Sequence, residues 1–233
     1  MLGPIGPVCA TPLETYGRGD GEKRACGLSQ QRPPCVVISI GSNGEWEFEE
    51  DVFWRTNCTV HTFDCTVPAA TAPPAAISTR VFFHRLCIGA DSRVVPGVGT
   101  FVAWPALLVR IGASAPPSFL KMDVEGFEYD VLGAMLESAE AKPELLPQQL
   151  GLEIHYKTRF RELPWFGRYK SAGEVALFMD SLYRRGGYYL TDRHDNPYCQ
   201  HCTEVVLTRH PLLALAGGGK VQHAPGSHTQ YIG

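Results

Sequence analysis

The sequence has no excess of basic residues and little charge of either sign. Charged residues make up 19% of the 233 positions, and the formal net charge is −3. Proteins that bind nucleic acid or an anionic membrane through charge carry a basic surface, so we expect no nucleic-acid partner. No apolar run approaches the length of a transmembrane helix, so we also expect no membrane span. The sequence indicates no oligomeric state.

The first ten residues lack the basic start typical of a signal peptide. The cysteine content nevertheless suits an oxidising compartment, because the count is eight and several cysteines are close in sequence. These local pairs are Cys26 with Cys35, Cys58 with Cys65, and Cys199 with Cys202. Buried free thiols are an equal alternative. Two locations follow, a secreted or luminal one if a leader precedes Met1 and a cytoplasmic one otherwise.

One stretch, residues 36–50, has the pattern of a buried strand, a tight turn and a helix. A β-branched apolar run is followed by Gly41, Ser42, Asn43 and Gly44, and then by apolar residues at helical spacing. Beyond the carboxyl end of a parallel strand, such a turn lies where α/β proteins bind ligands. Glycine lets the backbone approach a ligand, and free amides at a helix start bind a carboxylate or phosphate. The turn is not G-x-G-x-x-G, which argues against a dinucleotide.

Acidic residues follow three later strands. Asp64 ends a short strand 23 residues after the first glycine of the turn, near the distance at which nucleoside-binding folds place an acid on the ribose. Two further strands end in Asp123-x-Glu125 and in Glu153-x-His155. Alone, Asp64 is typical of a solvated residue that closes a strand, and His155 of a hydrogen-bonded histidine in the core or at its rim. If the strands are neighbours, the four side chains converge, and a ligand, a metal or a basic neighbour must offset the repulsion between the acids.

The overall pattern predicts one α/β domain over residues 35–210. An extended, Pro/Gly-rich lead-in precedes it (1–34), and a Gly/His-rich tail that we expect to be disordered follows it (211–233). Within the domain, one strand is predicted over 81–89 and a helix over 45–56.

The C-terminal part of the domain contains an aromatic segment and a predicted hairpin. Residues 157–170 predict a flap over the strand ends or, equally, a surface loop anchored by its own aromatic side chains. Ser171 and Glu174 form a capping box that opens a helix. Strands predicted over 188–191 and 203–208 form the hairpin.

These motifs resemble a known family. The stretch LKMDVEGFEYDVL resembles the signature of FkbM-type S-adenosylmethionine-dependent methyltransferases. The likeness spans roughly residues 15–209 and includes GRGDGEKRAC, CVVISIGSNGEWEFEEDV, VHTFDCT, LGLEIHY and DNPYCQHCTEVVLTR. Together these are similar to the eukaryotic methyltransferase-like domain group related to that family.

The resemblance implies a Rossmann-like class I methyltransferase fold. Such a fold has a mostly parallel seven-stranded sheet, a C-terminal antiparallel hairpin and helices on both faces. It also implies S-adenosylmethionine as cofactor and O-methylation of a small-molecule or glycan-type acceptor.

The resemblance further assigns cofactor-binding roles along the predicted strand ends. These are Gly41, Ser42, Asn43 and Gly44 at the methionine part, Asp64 at the ribose, Gly89 and Ala90 at the adenine, and Asp123 and Glu125 beside the methyl group. Asp123 or His155 is the candidate base, since a histidine pKa lies near neutral pH. One departure is Ser39, where many methyltransferases of this fold have an acid. A serine cannot neutralise the charge of the cofactor's amino group, which predicts a lower affinity for the cofactor.

Two alternatives stay open at this point. The acids and the histidine at the strand ends offer ligands for a metal-assisted enzyme, although adjacent acids also arise from cofactor binding, and we assign no metal ligand. The Cys199-x-x-Cys202 motif has only His194 or His201 nearby in sequence, so a disulfide or two thiols is favoured over zinc. The other alternative is a non-catalytic binding domain that keeps the fold.

Overall fold

The computed structural model describes residues 9–140, 142–157 and 169–209. In these ranges the strands are β1 (Leu13–Tyr16), β2 (Lys23–Cys26), β3 (Val36–Ile40), β4 (Thr59–Phe63), β5 (Val81–His84), β6 (Cys87–Ile88), β7 (Arg93–Val95), β8 (Gly99–Val102), β9 (Phe119–Met122), β10 (Gln149–His155), β11 (Tyr188–His194) and β12 (Cys202–Arg209). The α-helices are α1 (Glu47–Arg55), α2 (Trp104–Arg110), α3 (Glu128–Ser138) and α4 (Ala172–Gly186).

Seven strands form one sheet in the order β11-β12-β10-β9-β3-β4-β5. Neighbouring strands are parallel except at β12, which is antiparallel to both β10 and β11. This is the mostly parallel sheet with a C-terminal antiparallel hairpin that the sequence predicts, and the expected fold class is confirmed. The carboxyl ends of β3, β4, β9 and β10 lie at one edge of the sheet because these strands run in the same direction.

Alternation along β3 shows why helices cover both faces of the sheet. Ile38 and Ile40 belong to one buried cluster, which also contains side chains of α2, α3 and α4. Val37, next to Ile38 on the strand, belongs to a second cluster with Phe48 and Val52 of α1. Successive side chains of a strand point to opposite faces, so a continuous apolar run is buried on both.

Two smaller sheets differ from the sequence expectations. The segment predicted as an extended lead-in contains the antiparallel ribbon β1-β2, whose Tyr16 and Ala25 pack into the cluster around α1. The strand predicted over 81–89 breaks after His84, and β6 joins a separate three-stranded sheet in the order β6-β8-β7. The chain leaves the main sheet there because β6 pairs with Phe101 and Val102 instead of with β4.

All eight cysteines are paired. The disulfides are Cys9–Cys26, Cys35–Cys58, Cys65–Cys87 and Cys199–Cys202. Of the local pairs noted in the sequence, only Cys199 with Cys202 is a disulfide. The other three disulfides connect cysteines on neighbouring strands and loops. None of the helices in the described ranges has the length and apolar character needed to cross a bilayer.

The C-terminal helix and hairpin follow the prediction. The Ser171 side chain accepts the Glu174 N–H, and the Glu174 side chain accepts the Ser171 N–H, which confirms the capping box at the start of α4. The hairpin strands are longer than predicted. Residues 158–168 of the predicted flap and the predicted disordered tail lie outside the described residues.

Candidate active site

A cavity of about 730 Å³ lies beyond the carboxyl ends of β3, β4, β9 and β10. Its wall contains apolar side chains, the glycine turn after β3 and a group of acids. Among the residues that line it are Gly41, Ser42, Asn43, Glu49, Phe63, Asp64, Thr66, Ile88, Phe101, Lys121, Asp123, Glu125, Glu153 and His155. Its size is within the range of roughly 300–1,000 Å³ found for small-molecule sites.

The turn after β3 is fitted tightly against the loop after β9. Gly41 has φ +81°, and a Cβ added there would lie 1.8 Å from the Asp123 carbonyl oxygen. Its N–H donates to the Phe63 carbonyl over 3.0 Å, so the turn is also joined to β4. Only glycine meets both requirements, a left-handed backbone and no side chain. Asn43 is left-handed as well, with φ 52°.

The Asp64 carboxylate holds this turn in place. Its Oδ2 accepts the N–H groups of Ser42 (3.0 Å) and Asn43 (2.8 Å). Its Oδ1 accepts the N–H (2.8 Å) and the hydroxyl (2.6 Å) of Thr66. The turn amides, expected to be free for a ligand at a helix start, are therefore satisfied within the chain, and α1 begins only at Glu47.

Four predicted residues meet at the ends of β9 and β10. The Nε2 atom of His155 lies 3.6 Å from Glu125 Oε2 and 4.0 Å from Glu153 Oε1. The side chains of Asp123 and Glu153 are hydrogen-bonded to each other. Because β9 ends at Met122, strand alternation does not place Glu125. A left-handed backbone at Glu125 (φ 56°) does so instead.

Two lysines offset the acids. Lys23, on β2, is buried, with its Nζ 2.8 Å from Glu204 Oε1 and 3.6 Å from Asp123 Oδ2. Lys121 donates to the Gly41 carbonyl over 2.6 Å. Sequence reasoning missed Lys23 and Glu204, because nothing in a Pro/Gly-rich lead-in marks one lysine as buried.

Glu128 is a further residue that the sequence did not single out. It is fully buried, and its Oε1 accepts Nδ1–H of His155 over 2.8 Å. The same oxygen accepts the N–H groups of Val124 and Gly126, each at 3.3 Å. Glu128 therefore fixes both the histidine ring and the loop that carries Glu125. Its position in the first turn of α3 was the only available signal.

The pKa values in the cluster are shifted in different directions, so its members differ in protonation near neutral pH. Burial alone would lower the pKa of His155, but the Glu128 carboxylate and the neighbouring acids raise it to about 9. Burial and the charge of Asp123 raise the pKa of Glu153 to about 9. Burial opposes the ionisation of Asp123, but Lys23 and Lys121 outweigh burial and hold its pKa below the usual range. Near neutral pH, Asp123 is ionised and His155 keeps its proton.

Some predicted positions are not part of the cavity wall. Gly44, Gly89 and Ala90 are not among the lining residues, and the wall expected from Gly89 and Ala90 is formed by the residues just before them, 86–88. Gly89 packs against Phe101, since a Cβ added at Gly89 would lie 2.9 Å from Phe101 Cδ1. Ser39 is fully buried in the sheet, and its hydroxyl has no hydrogen-bond partner in the described part of the chain.

The fold and the cavity define a Rossmann-like α/β protein with a ligand site at its strand ends. The profile of a protein family described as a methyltransferase domain matches residues 7–208. The chain belongs to this family, which confirms the predicted resemblance to methyltransferases. Methyltransferases of this kind generally use S-adenosylmethionine. No curated protein sequence matches the chain significantly.

Several solved methyltransferase structures are similar in fold. The FkbM methyltransferase of Methylobacillus flagellatus KT is 13% identical, with a TM-score of 0.47 over 82% of this chain and 48% of its own. A putative O-methyltransferase from Nostoc punctiforme PCC 73102 is 12% identical (TM-score 0.45; 78% and 54% covered). N-methyltransferase NodS from Bradyrhizobium japonicum WM9 is 11% identical (TM-score 0.44; 75% and 85% covered). The chain spans about half the length of the FkbM protein. Likeness of this size assigns no ligand or acceptor to this chain.

Proposed function

We propose that the chain binds S-adenosylmethionine in the cavity and methylates a hydroxyl group of a small-molecule or glycan-type acceptor. The main support is the meeting of four strand-end loops around one cavity of about 730 Å³ in a member of a methyltransferase domain family. The cavity combines an apolar wall, formed in part by Ile88 and Phe101, with carboxylates. This suits a cofactor that has an aromatic base, a ribose and a charged methionine part.

In this proposal, Asp64 accepts hydrogen bonds from the ribose hydroxyls through one of its carboxylate oxygens. Both hydrogen bonds on Oδ1 come from residue 66, while both bonds on Oδ2 hold the turn. A carboxylate oxygen accepts about two hydrogen bonds. A local movement of Thr66 therefore frees Oδ1 for ribose hydroxyls without releasing the glycine turn.

Glu49 is our candidate for the acid that Ser39 does not supply. Its carboxylate is buried, lines the cavity and accepts the Thr62 hydroxyl over 3.1 Å. A buried carboxylate with one partner from the chain is well suited to bind an ammonium group. We assign it to the amino group of the cofactor's methionine part.

The bound cofactor supplies an electrophilic methyl carbon on a sulfonium group. The chain's own part is to hold the acceptor in line and to take its proton. Asp123 is the better placed base. Its carboxylate is ionised and lines the cavity, whereas both ring nitrogens of His155 face carboxylates, Nδ1 at Glu128 and Nε2 at Glu125. With the cofactor bound, its methyl group would pass from sulfur to the acceptor oxygen, and Asp123 would take the proton of the acceptor hydroxyl.

The disulfides support a location for this activity. The chain carries four disulfides, and disulfides form and persist mainly where the surroundings are oxidising. We therefore propose a secreted or luminal protein whose acceptor lies in the same compartment.

Calorimetry with S-adenosylmethionine tests the binding proposal. We expect a Kd below about 1 mM for the wild type, in the usual range of enzyme–substrate affinities. Glu49→Gln should weaken binding about tenfold, because one charge-assisted hydrogen bond is worth about 1.5 kcal/mol or more. The control is Glu50→Gln, which changes a neighbouring acid outside the lining. Absence of wild-type binding at millimolar cofactor would refute the proposal and favour the non-catalytic scaffold.

Radiolabelled methyl transfer to a panel of phenols, catechols and glycans tests the base. Asp123→Asn should keep cofactor affinity within a few-fold and lower turnover by about 100-fold or more. If Asp123→Asn retained full turnover with an accepted substrate, Asp123 would not be the base.

A further inference from the structure

Four side chains with metal-binding atoms meet where β10 ends and β12 begins. They are Glu153, His155, Cys199 and Cys202, all buried, and one ligand atom from each lies within 4.8 Å of the others. The sequence suggested His194 or His201 as the only further ligands near the C-x-x-C motif. The structure brings different partners to it.

The pairing of β10 with β12 creates this cluster. His155 and Cys202 are directly opposite each other in the antiparallel ladder, so their side chains share a face. Glu153 is two residues earlier on β10 and lies on the same face. Cys199 comes from the turn before β12 and is disulfide-bonded to Cys202. All four positions are therefore fixed by strand register and by one short turn.

The arrangement and the ligand types match a structural zinc site. Zinc takes cysteine sulfur, histidine nitrogen and carboxylate oxygen at ~2.0–2.3 Å in a tetrahedron, which puts neighbouring ligand atoms roughly 3.5 Å apart. Cys202 Sγ already contacts Glu153 Oε1, and His155 Nε2 lies 4.0 Å from that oxygen. Side-chain movements of about 1 Å would bring the ligand atoms from their present separation, at most 4.8 Å, to the separation of roughly 3.5 Å in a zinc tetrahedron. Since the chain provides all four ligands, the site is closed, as structural zinc sites are.

The groups around the cluster also suit a metal. Glu128 accepts Nδ1–H of His155 over 2.8 Å, which leaves Nε2 directed at the other ligands. This is the carboxylate–histidine arrangement that orients metal-bound imidazoles. Asn196 donates to Glu153 Oε1 over 3.1 Å and fixes that carboxylate. Glu128 and Asn196 therefore already orient two of the proposed ligands.

The geometry points to a zinc site formed by Glu153, His155 and the dithiol form of Cys199 and Cys202. Two equivalents of a thiol reductant convert the Cys199–Cys202 disulfide to two thiols and are themselves oxidised to a disulfide. Zinc then bonds to both sulfurs, to Nε2 of His155 and to Oε1 of Glu153, and the protons on these four groups pass to solvent. The site binds a divalent ion of the zinc type, and two of its ligands, Glu153 and His155, also line the cavity proposed for the cofactor.

Metal analysis of the whole chain tests this inference without an activity assay. The protein is reduced with dithiothreitol under argon, exposed to zinc chloride, desalted and analysed by mass spectrometry of the metal. Reduction opens other disulfides as well, so Cys199→Ser/Cys202→Ser gives the background. We expect one zinc ion per chain above that background. Cobalt(II) in place of zinc should show the thiolate charge-transfer band and the visible absorption of a tetrahedral site.

Single substitutions keep the test decisive if the double variant does not fold. Glu153→Gln and His155→Gln should each weaken zinc binding at least tenfold, and Glu128→Gln should weaken it by about tenfold. The matched control is His201→Gln, an exposed histidine within the C-x-x-C motif, which should retain the ion. Equal zinc in the wild type and in Glu153→Gln or His155→Gln, or loss of zinc in His201→Gln, would overturn the inference.

Discussion

The Lys23 ammonium lies 3.6 Å from the Asp123 carboxylate, although the two residues come from distant parts of the chain. This ion pair joins the N-terminal ribbon to the loop that carries the candidate base. It also explains how an aspartate so deep in the protein stays ionised. The ribbon is therefore part of the candidate active site.

Replacing Lys23 should lower the free energy of unfolding. Lys23→Met removes the cation nearest to the buried Glu204 and Asp123 carboxylates, and breaking a buried pair in this way costs about 3–5 kcal/mol. Urea denaturation measures the loss. Arg24→Met, on the same strand but at a partly exposed ion pair with Asp192, should cost less than about 1 kcal/mol. Equal losses in the two variants would show that Lys23 has no special role.

The two glycines of the turn after β3 should respond differently to alanine. Gly41→Ala places a methyl group against the Asp123 carbonyl and adds the strain of a left-handed alanine, so we expect a loss above about 3 kcal/mol and no cofactor binding. Gly44→Ala has the same strain, about 1–2 kcal/mol, but only ordinary contacts at 3.8 Å. Thermal unfolding and calorimetry distinguish the two. A Gly41→Ala protein with wild-type stability would contradict the tight fit.

Asp64→Asn should loosen the turn. An asparagine has one acceptor oxygen in place of two, so it satisfies the amides of Ser42 and Asn43 or the groups of Thr66 but not both. We expect a loss of roughly 2–3 kcal/mol and at least tenfold weaker cofactor binding. Amide hydrogen exchange at residues 42–44 should rise. Unchanged exchange there would argue against the clamp, and Asp91→Asn, at an exposed acid, is the control.

A histidine pair at the edge of the sheet should make the protein sensitive to acid. His61 Nδ1 and His84 Nε2 are 3.1 Å apart, and burial together with the charge of His84 lowers the pKa of His61 to about 4. The unfolded chain binds a proton near pH 6.5 that the folded chain accepts only near pH 4. Stability is therefore present above pH 6.5 and is lost as pH falls through that window.

For His61 we expect an acid loss of about 1–2 kcal/mol, because partial exposure screens the charge. Denaturation at pH 7 and pH 4.5 measures it. His61→Gln should remove part of the acid loss, while His201→Gln, at an exposed histidine, should not. A pH profile of His61→Gln that matches the wild type would refute the assignment.

The sequence predicts the parts of the site that follow from strand direction. Parallel strands end at one edge, so the glycine turn, Asp64, Asp123 and His155 could be placed together without knowing any contact. Residues whose roles depend on long-range packing could not be identified from the sequence. Lys23 reaches the site only because the ribbon packs beside β10 and β12.

Two local departures from the sequence predictions also have a physical cause. The strand predicted over 81–89 is interrupted because β6 pairs with β8 in another sheet, and residues 86–88 line the cavity there. Strand pairing is a non-local choice, and a short apolar run does not reveal its partner. The Glu125 position similarly depends on one left-handed residue that alternation does not predict.

The place of β12 in the sheet has a consequence for biosynthesis. In the described part of the chain, β12 is the last strand, and it lies between β10 and β11, which are both made earlier. It also carries Glu204, the partner of Lys23. A nascent chain halted before residue 202 would thus expose two unpaired strand edges and a lysine without its carboxylate. We expect such truncated products to be retained by chaperones, because open strand edges favour aggregation.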